Sequence, residues 1–101
     1  VKPNSKFVVK WKVDSNRQKN ITHTAVHYGA KPVAGELSAD VAPAQSGYTD
    51  LIATYASSNN TVPNSFSSSI LAGSKGAMYA RAHVIVDGKN YWSEEKSIKL
   101  E

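Results

Sequence analysis

Met78-Tyr-Ala-Arg-Ala-His-Val-Ile-Val86 and Lys89-Asn-Tyr-Trp-Ser-Glu-Glu-Lys-Ser-Ile-Lys-Leu100 flank the dipeptide Asp87-Gly88, and the reading of these three pieces decides the fold. Both runs alternate in character, as strands with one buried face do. Asp-Gly suits a two-residue type I′ turn, whose central positions both need φ > 0. Met78 to Leu100 is therefore expected to form one long β-hairpin. The turn sets the pairing: Val86 opposite Lys89, Val84 opposite Tyr91, His83 opposite Trp92 and Arg81 opposite Glu94. A four-residue loop would keep this register, whereas a three-residue loop with a bulge would shift it. Met78, Ala80, Ala82, Val84 and Val86 then line the buried face, with Tyr79, Arg81, His83 and Ile85 on the outer one. Arg81 gains a carboxylate in Glu94 and His83 an indole in Trp92.

Working toward the N-terminus, Val62–Leu71 reads as a serine-rich strand with Phe66, Ser68 and Ile70 on one face, preceded by a turn at Ser57–Asn60. Tyr48–Tyr55 stays open. Tyr48, Leu51, Ile52 and Tyr55 fit one helical turn better than an alternating strand, and a short edge strand is the alternative. Ala30–Gly47 is loop-like, punctuated by Pro32, Gly35, Pro43 and Gly47, with short pairing allowed around Glu36–Leu37. Ile21–Tyr28 alternates and ends at Gly29. Asp14–Asn20 is a polar turn. Phe7, Val9, Trp11 and Val13 alternate with Val8, Lys10 and Lys12, a half-buried strand with its aromatic side inward. Strands recur without a long helix between them, which indicates an all-β antiparallel sandwich rather than a βαβ fold. The expected core is Phe7, Val9, Trp11, Val13, Val26, Tyr28, Phe66, Ile70, Ala80, Ala82, Val84, Val86 and Tyr91.

Length and composition set the outer bounds. The 101 residues suffice for one domain with one core, and 1–101 is read as a single sandwich domain excised from a longer protein. The absence of cysteine excludes disulfides, thiolate zinc sites, thiol catalysis and cysteine-ligated copper, and leaves the compartment undecided. The formal charge of +4 is spread out: Lys6, Lys10 and Lys12 share one strand face, and Lys96 and Lys99 lie near the end. A nucleic-acid groove would want denser charge interleaved with exposed aromatics, so a solvated face is expected and no nucleic-acid partner. No apolar run approaches the ~20 residues of a membrane span.

Phe7-Val-Val-Lys-Trp11, Thr24-Ala-Val-His-Tyr28-Gly29 and Tyr79-Ala-Arg-Ala-His-Val-Ile-Val86-Asp-Gly-Lys-Asn-Tyr-Trp-Ser93 resemble fibronectin type III domains. They match that family's tryptophan-bearing strand B, its strand C and its F–G hairpin. The likeness covers about half the chain, and other immunoglobulin-like sandwiches share these motifs. The chain departs from the pattern in lacking a clear strand A before Lys6 and in its long Ala30–Gly47 segment. It is also similar to repeated accessory domains of prokaryotic cell-surface and secreted proteins, some of them adjoining copper-binding modules. The resemblance implies an immunoglobulin-like sandwich of about seven strands. It further implies an extracellular or cell-surface location, a binding or spacer role toward neighbouring domains or another surface protein, and no catalysis.

The histidines are the feature that carries chemistry. On the earlier strand Thr22, Thr24, Val26 and Tyr28 make the better core set, which turns His23 and His27 outward. In a fibronectin-like sandwich that strand pairs with the one bearing His83. His23, His27, Arg81, His83, Trp92 and Glu94 are then expected on one exposed sheet surface, available to a protein partner. The same imidazoles suit copper or zinc. On an extended strand the Cα atoms of His23 and His27 would lie ~13 Å apart, too far to share an ion without a bend. His83 could join one of them across ~5 Å, giving a weak two-histidine site completed by water or a carboxylate.

Other chemistry finds less support. Asn20-Ile-Thr22 and Asn59-Asn-Thr61 match the N-glycosylation sequon, with Asn59 the better placed, in a turn. Ser67–Ser69 lie on a strand without a nucleophile elbow. Glu94 and Glu95 are adjacent strand residues, so they face apart and cannot work as a couple. No enzyme is expected.

Overall fold

The computed structural model describes residues 2–33, 35, 37, 41–73 and 76–100 of the chain. Nine strands are formed among these residues, joined by turns and one short 3-10 turn at Pro43–Gln45. They are β1 (Lys6–Val13), β2 (Lys19–Ile21), β3 (Thr24–Gly29), β4 (Asp50–Ile52), β5 (Asn60–Val62), β6 (Asn64–Leu71), β7 (Gly76–Val86), β8 (Lys89–Trp92) and β9 (Lys96–Leu100). All pairings are antiparallel. β1 pairs with β6 and β2 with β5, while β4, β3, β7 and β8 lie side by side with β9 also on β7.

β1 alternates as its sequence demands. Trp11 and Val13 are buried, Phe7 and Val9 are half-buried, and Lys6, Val8, Lys10 and Lys12 face solvent. Trp11 lies opposite Phe66 in the β1–β6 ladder and stacks on it at 5.8 Å, with Tyr55 edge-on to both rings. One buried cluster joins Trp11, Val13, Ile21, Val26, Ile52, Val62, Phe66, Ala80 and Val84, drawing on all three sheets. A core filled from facing sheets is compatible with a β-sandwich. Each such aliphatic or aromatic side chain contributes roughly 1.5–3 kcal/mol by leaving water. A smaller cluster of Ala72, Met78 and Leu100 closes one end.

The hairpin forms with the expected turn and register. Asp87 and Gly88 sit at φ 52° and 77°, both positive as a type I′ turn requires. Val86 pairs with Lys89, Val84 with Tyr91 and His83 with Trp92. The pairing then slips. Ser93 donates its backbone N–H to Ala82, yet Lys96 lies opposite Ala80. Glu94 and Glu95 therefore face the single residue Arg81, which is a β-bulge. The bulge turns Glu95 inward and leaves Glu94 exposed, so the expected Arg81–Glu94 pair is not made.

Two further expectations, on Tyr91 and on Ile21–Tyr28, need correction, and two open readings gain an outcome. Tyr91 is 50% exposed rather than in the core, because β8 is an edge strand and the facing sheets are only two strands wide. Tyr48–Tyr55 resolves into the short strand β4 followed by a turn at 54–57. Of the pairing suggested around Glu36–Leu37, Glu36 lies outside the described residues and Leu37 is in no strand. Ile21–Tyr28 is not one strand: the chain bends at Thr22, between β2 and β3.

Candidate metal centre

The three histidines converge through their side chains. His23 sits just before β3, anchored by the Ile85 amide donating to its carbonyl. His27 lies opposite Arg81, and Ala25 lies opposite His83. His83 is thus diagonal to both other histidines, and the small Ala25 directly across from it leaves room for their rings to lean together. The ring centroids of His23 and His83 are 5.0 Å apart, and those of His27 and His83 5.6 Å. The three side chains can each offer one ring nitrogen such that all three atoms lie within 4.8 Å of one another. Main-chain separation along the strand therefore does not limit the site to two histidines, since the rings lean together and the third ligand atom joins the pair.

These residues are also not on an exposed surface. His83 is 1%, His27 3% and Arg81 5% exposed. Val33, Gly35, Val41 and Tyr48, described residues of the stretch before β4, are tied to this side of the sheet by polar bonds. Arg81 donates to the carbonyls of Val33 (2.9 Å), Gly35 and Ser93 (3.2 Å) and to the Tyr48 hydroxyl (3.1 Å). The Tyr48 hydroxyl donates to Glu95, which also accepts from the Val33 amide at 2.7 Å. Trp92 donates its indole N–H to the Val41 carbonyl at 2.9 Å. The expected binding face is therefore the floor of a second, polar core. Of its expected members only Glu94 is fully exposed. Sequence reading missed Tyr48, Glu95 and the covering role of Val33 and Val41. One signal for them was available, since a run of some 18 residues without regular structure is usually a functional or covering loop.

Hydrogen bonding orients two of the rings. His23 Nδ1 lies 2.9 Å from the Ala56 carbonyl, which can only accept, so Nδ1 carries the proton. His83 Nε2 lies 2.8 Å from Asn90 Oδ1, which makes it a donor in turn. That leaves His23 Nε2 and His83 Nδ1 facing each other at 3.2 Å with lone pairs opposed. Such a contact is favourable only with a cation between the rings, with one ring doubly protonated, or with the Asn90 amide turned to donate. The spacing is close to that of two imidazole nitrogens sharing an ion at about 2.0–2.1 Å. Carbonyl oxygens holding the far N–H of each ring are the usual second shell of metal-bound histidine. The third ring completes the set: His27 Nε2 is buried and finds no hydrogen-bond partner among the described residues.

Electrostatics keeps the site ready to ligate. Burial lowers the His27 pKa to about 4, helped by the neighbouring His83 and His23. Burial lowers His83 as well, against the opposing hydrogen bond to Asn90. Both rings are neutral at pH 7, the form that binds metals. Trp92 flanks the cluster from β8, its ring 4.3 Å from His83 and 5.1 Å from His27. Beside it, burial and the bond to Glu95 push Tyr48 up to about 12, opposed by Arg81. Burial would raise the Glu95 carboxyl, but the bonds from Tyr48 and Val33 and the Arg81 charge outweigh it and leave the group below the usual carboxylate range.

Compared with known proteins, the chain matches no family model, no curated protein and no solved structure. Its chemistry follows from its own geometry. Elsewhere, Asn20 on β2 and Asn59 are both exposed. No described helix is long and apolar enough to cross a membrane.

Proposed function

We propose that this chain is a non-catalytic module, immunoglobulin-like or fibronectin type III-like and extracellular, that holds a transition-metal ion on His23, His27 and His83. The observation that carries the metal is the buried, unpartnered Nε2 of His27 beside two ring nitrogens aimed at each other. A buried imidazole nitrogen without a partner costs about 1–3 kcal/mol, and ligation to an ion removes that cost. The residues present fit such an ion: three neutral nitrogens, with outer N–H groups held by Ala56 and Asn90 in two of the three. The Trp11 strand, the Tyr28 strand and the 78–100 hairpin support the sandwich type and, through it, the extracellular setting.

Titration of the protein with Zn(II), Cu(II) and, under argon, Cu(I) tests the metal. Imidazole resonances of all three histidines should move together with at least one ion, and the unfolding temperature should rise by mass action. Loss of nothing on replacing all three by Gln would refute the assignment.

A protein contact at the histidine face has less support, because His27, Arg81 and His83 are buried. Contact with a neighbouring domain has better support on the outer side of β1–β6, where Val8 and Leu71 are 57% and 61% exposed.

A further inference from the structure

We infer that the free edge of β1 takes up an extended peptide of alternating apolar and acidic residues, which becomes a third strand of the β1–β6 sheet. The surface it covers is the Val84 and Tyr91 side of the hairpin, opposite the side that carries the His83 and Trp92 rings, and it is independent of the metal.

The facing layers do not match in width. β4, β3, β7 and β8 lie side by side, whereas β1 has β6 as its one ladder partner among the described residues. The wider layer therefore carries interior-facing side chains with no described strand opposite them. Val84 and Tyr91 pair across the hairpin on that face, and Val84 is buried while Tyr91 is 50% exposed. Val86, one pair nearer the turn on the same face, is half-buried. A cleft of about 640 Å³ opens here, with Val84, Val86 and Tyr91 on one side and Lys12, Val13 and Arg17 on the other. One wall is apolar. The other is the end of an edge strand, whose alternate main-chain N–H and C=O groups point away from its single neighbour. An extended peptide satisfies both walls at once. Its main chain bonds to β1, and every second side chain rests on Val86 and Tyr91.

Charge sets the chemistry of the partner. The cations Lys12, Arg17 and Lys19 border the cleft together with the acids Asp14 and Asp87. Both acids are engaged, Asp14 with Lys12 at 3.3 Å and Asp87 with Lys19, while Arg17 makes no ion pair among the described residues. Lys6, Lys10 and Lys12 form a positive row along the solvent face of β1. A strand laid beside β1 places its own outward side chains next to this row, where carboxylates are attracted and cations repelled. The same row disfavours a second copy of the chain, because β1 against β1 would set lysine beside lysine.

The test is an NMR titration of the isotope-labelled chain with synthetic peptides. The probes are acetyl-EVTVEIE-amide, its basic counterpart acetyl-KVTVKIK-amide, and the acidic peptide N-methylated at every other residue, in both phases. The acidic peptide should bind with Kd at or below about 500 µM, shifting amides of Lys10 to Arg17 and Val84 to Tyr91 and slowing amide exchange on β1. The basic peptide should bind at least about tenfold more weakly, and N-methylation should abolish binding in at least one phase. Arg17→Gln, in an exposed turn, should weaken the acidic peptide about threefold. Tyr91→Ser, at a half-exposed position, should weaken it at least about fivefold, with the spectrum of the free variant reporting its fold. No shift at about 2 mM acidic peptide, equal binding of the basic one, indifference to N-methylation in both phases, or shifts away from β1 and β8 overturns the inference. A concentration-dependent dimer paired through β1 gives the edge to a second copy and overturns it as well.

Discussion

Replacing Arg81 by Met removes the main tie between the 31–49 segment and the sheet while nearly keeping side-chain volume. Four hydrogen bonds are lost, to the carbonyls of Val33, Gly35 and Ser93 and to the Tyr48 hydroxyl. Hydrogen bonds from a charged donor contribute roughly 1.5–3 kcal/mol each, and an orphaned buried carbonyl costs about 1–3 kcal/mol. The sum overstates the loss. Arg81 no longer has to be desolvated, and the Val33 and Gly35 carbonyls recover water once the segment lifts. The realised cost is therefore capped by detachment of that segment, at about 2–4 kcal/mol. Urea unfolding measures the total. Amide exchange shows where it falls, with faster exchange expected at the Val33 amide held by Glu95 and at neighbours through Tyr48. In a Trp11→Phe background the remaining indole, Trp92, should red-shift as its bond to the Val41 carbonyl opens. Arg81→Lys should recover less than half of the loss, because one point donor cannot serve carbonyls on both sides of a planar fork. If Arg81→Met stayed within about 0.5 kcal/mol of wild type, with unchanged exchange at Val33, the second core would not be held as described.

Two more outcomes concern buried polar groups. Thr24 is buried, accepting from the Trp11 indole N–H at 3.0 Å and donating to the His83 carbonyl at 2.8 Å, so Thr24→Val strands two buried groups. It should cost about 2–4 kcal/mol in urea unfolding, against less than about 0.5 kcal/mol for exposed Thr22→Val. The second concerns acid. His27 titrates at about 4 when folded and near 6.5 when unfolded, so between those values the unfolded chain binds more protons. Stability in the presence of a chelator should then be complete above about pH 6.5 and fall as pH drops toward 4. The loss approaches about 3 kcal/mol from His27, with buried His83 adding in the same direction. His27→Gln should flatten the pH 4.5–6.5 part of the urea profile, and an unchanged slope would contradict the burial argument.

Period-2 alternation carried most of the sheet into view. It placed Trp11 and Val13 inward on β1 and set the β7–β8 register, and Asp87-Gly88 marked the turn. Alternation says which residues share a face and nothing about what covers that face. Arg81, His83 and Trp92 were assigned to one side of the hairpin correctly, yet that side is tied by polar bonds to a stretch whose own sequence has no period to read. Val33 and Val41 stand among alanines, prolines and scattered polar residues with no regular spacing, and their contribution is mostly main-chain: the Val33 and Val41 carbonyls and the Val33 amide. Main-chain groups are invisible to side-chain patterning. The two local irregularities near the site escaped for the same reason. The bulge at Glu94–Glu95 and the bend at Thr22 each interrupt a run that alternates plausibly without them.

The polar layer divides into two halves of different completeness, and this contrast is the strongest reason to read function into one of them. Around Arg81 each guanidinium nitrogen donates to an acceptor: Val33, Gly35 and Ser93 carbonyls and the Tyr48 hydroxyl, which donates on to Glu95. Such a network holds a segment down and asks for nothing more. On the neighbouring positions of the same sheet, three imidazoles have one nitrogen unpartnered among the described residues and two others opposed. Were structure alone at stake, leucine or phenylalanine at His27 and His83 would fill the space without lone pairs to satisfy. Polar groups left incomplete inside an otherwise consistent fold are where sequence departs from the demands of stability. Here that departure has the shape of a ligand set: three neutral nitrogens, converging, with two of the three rings held by carbonyl oxygens from behind.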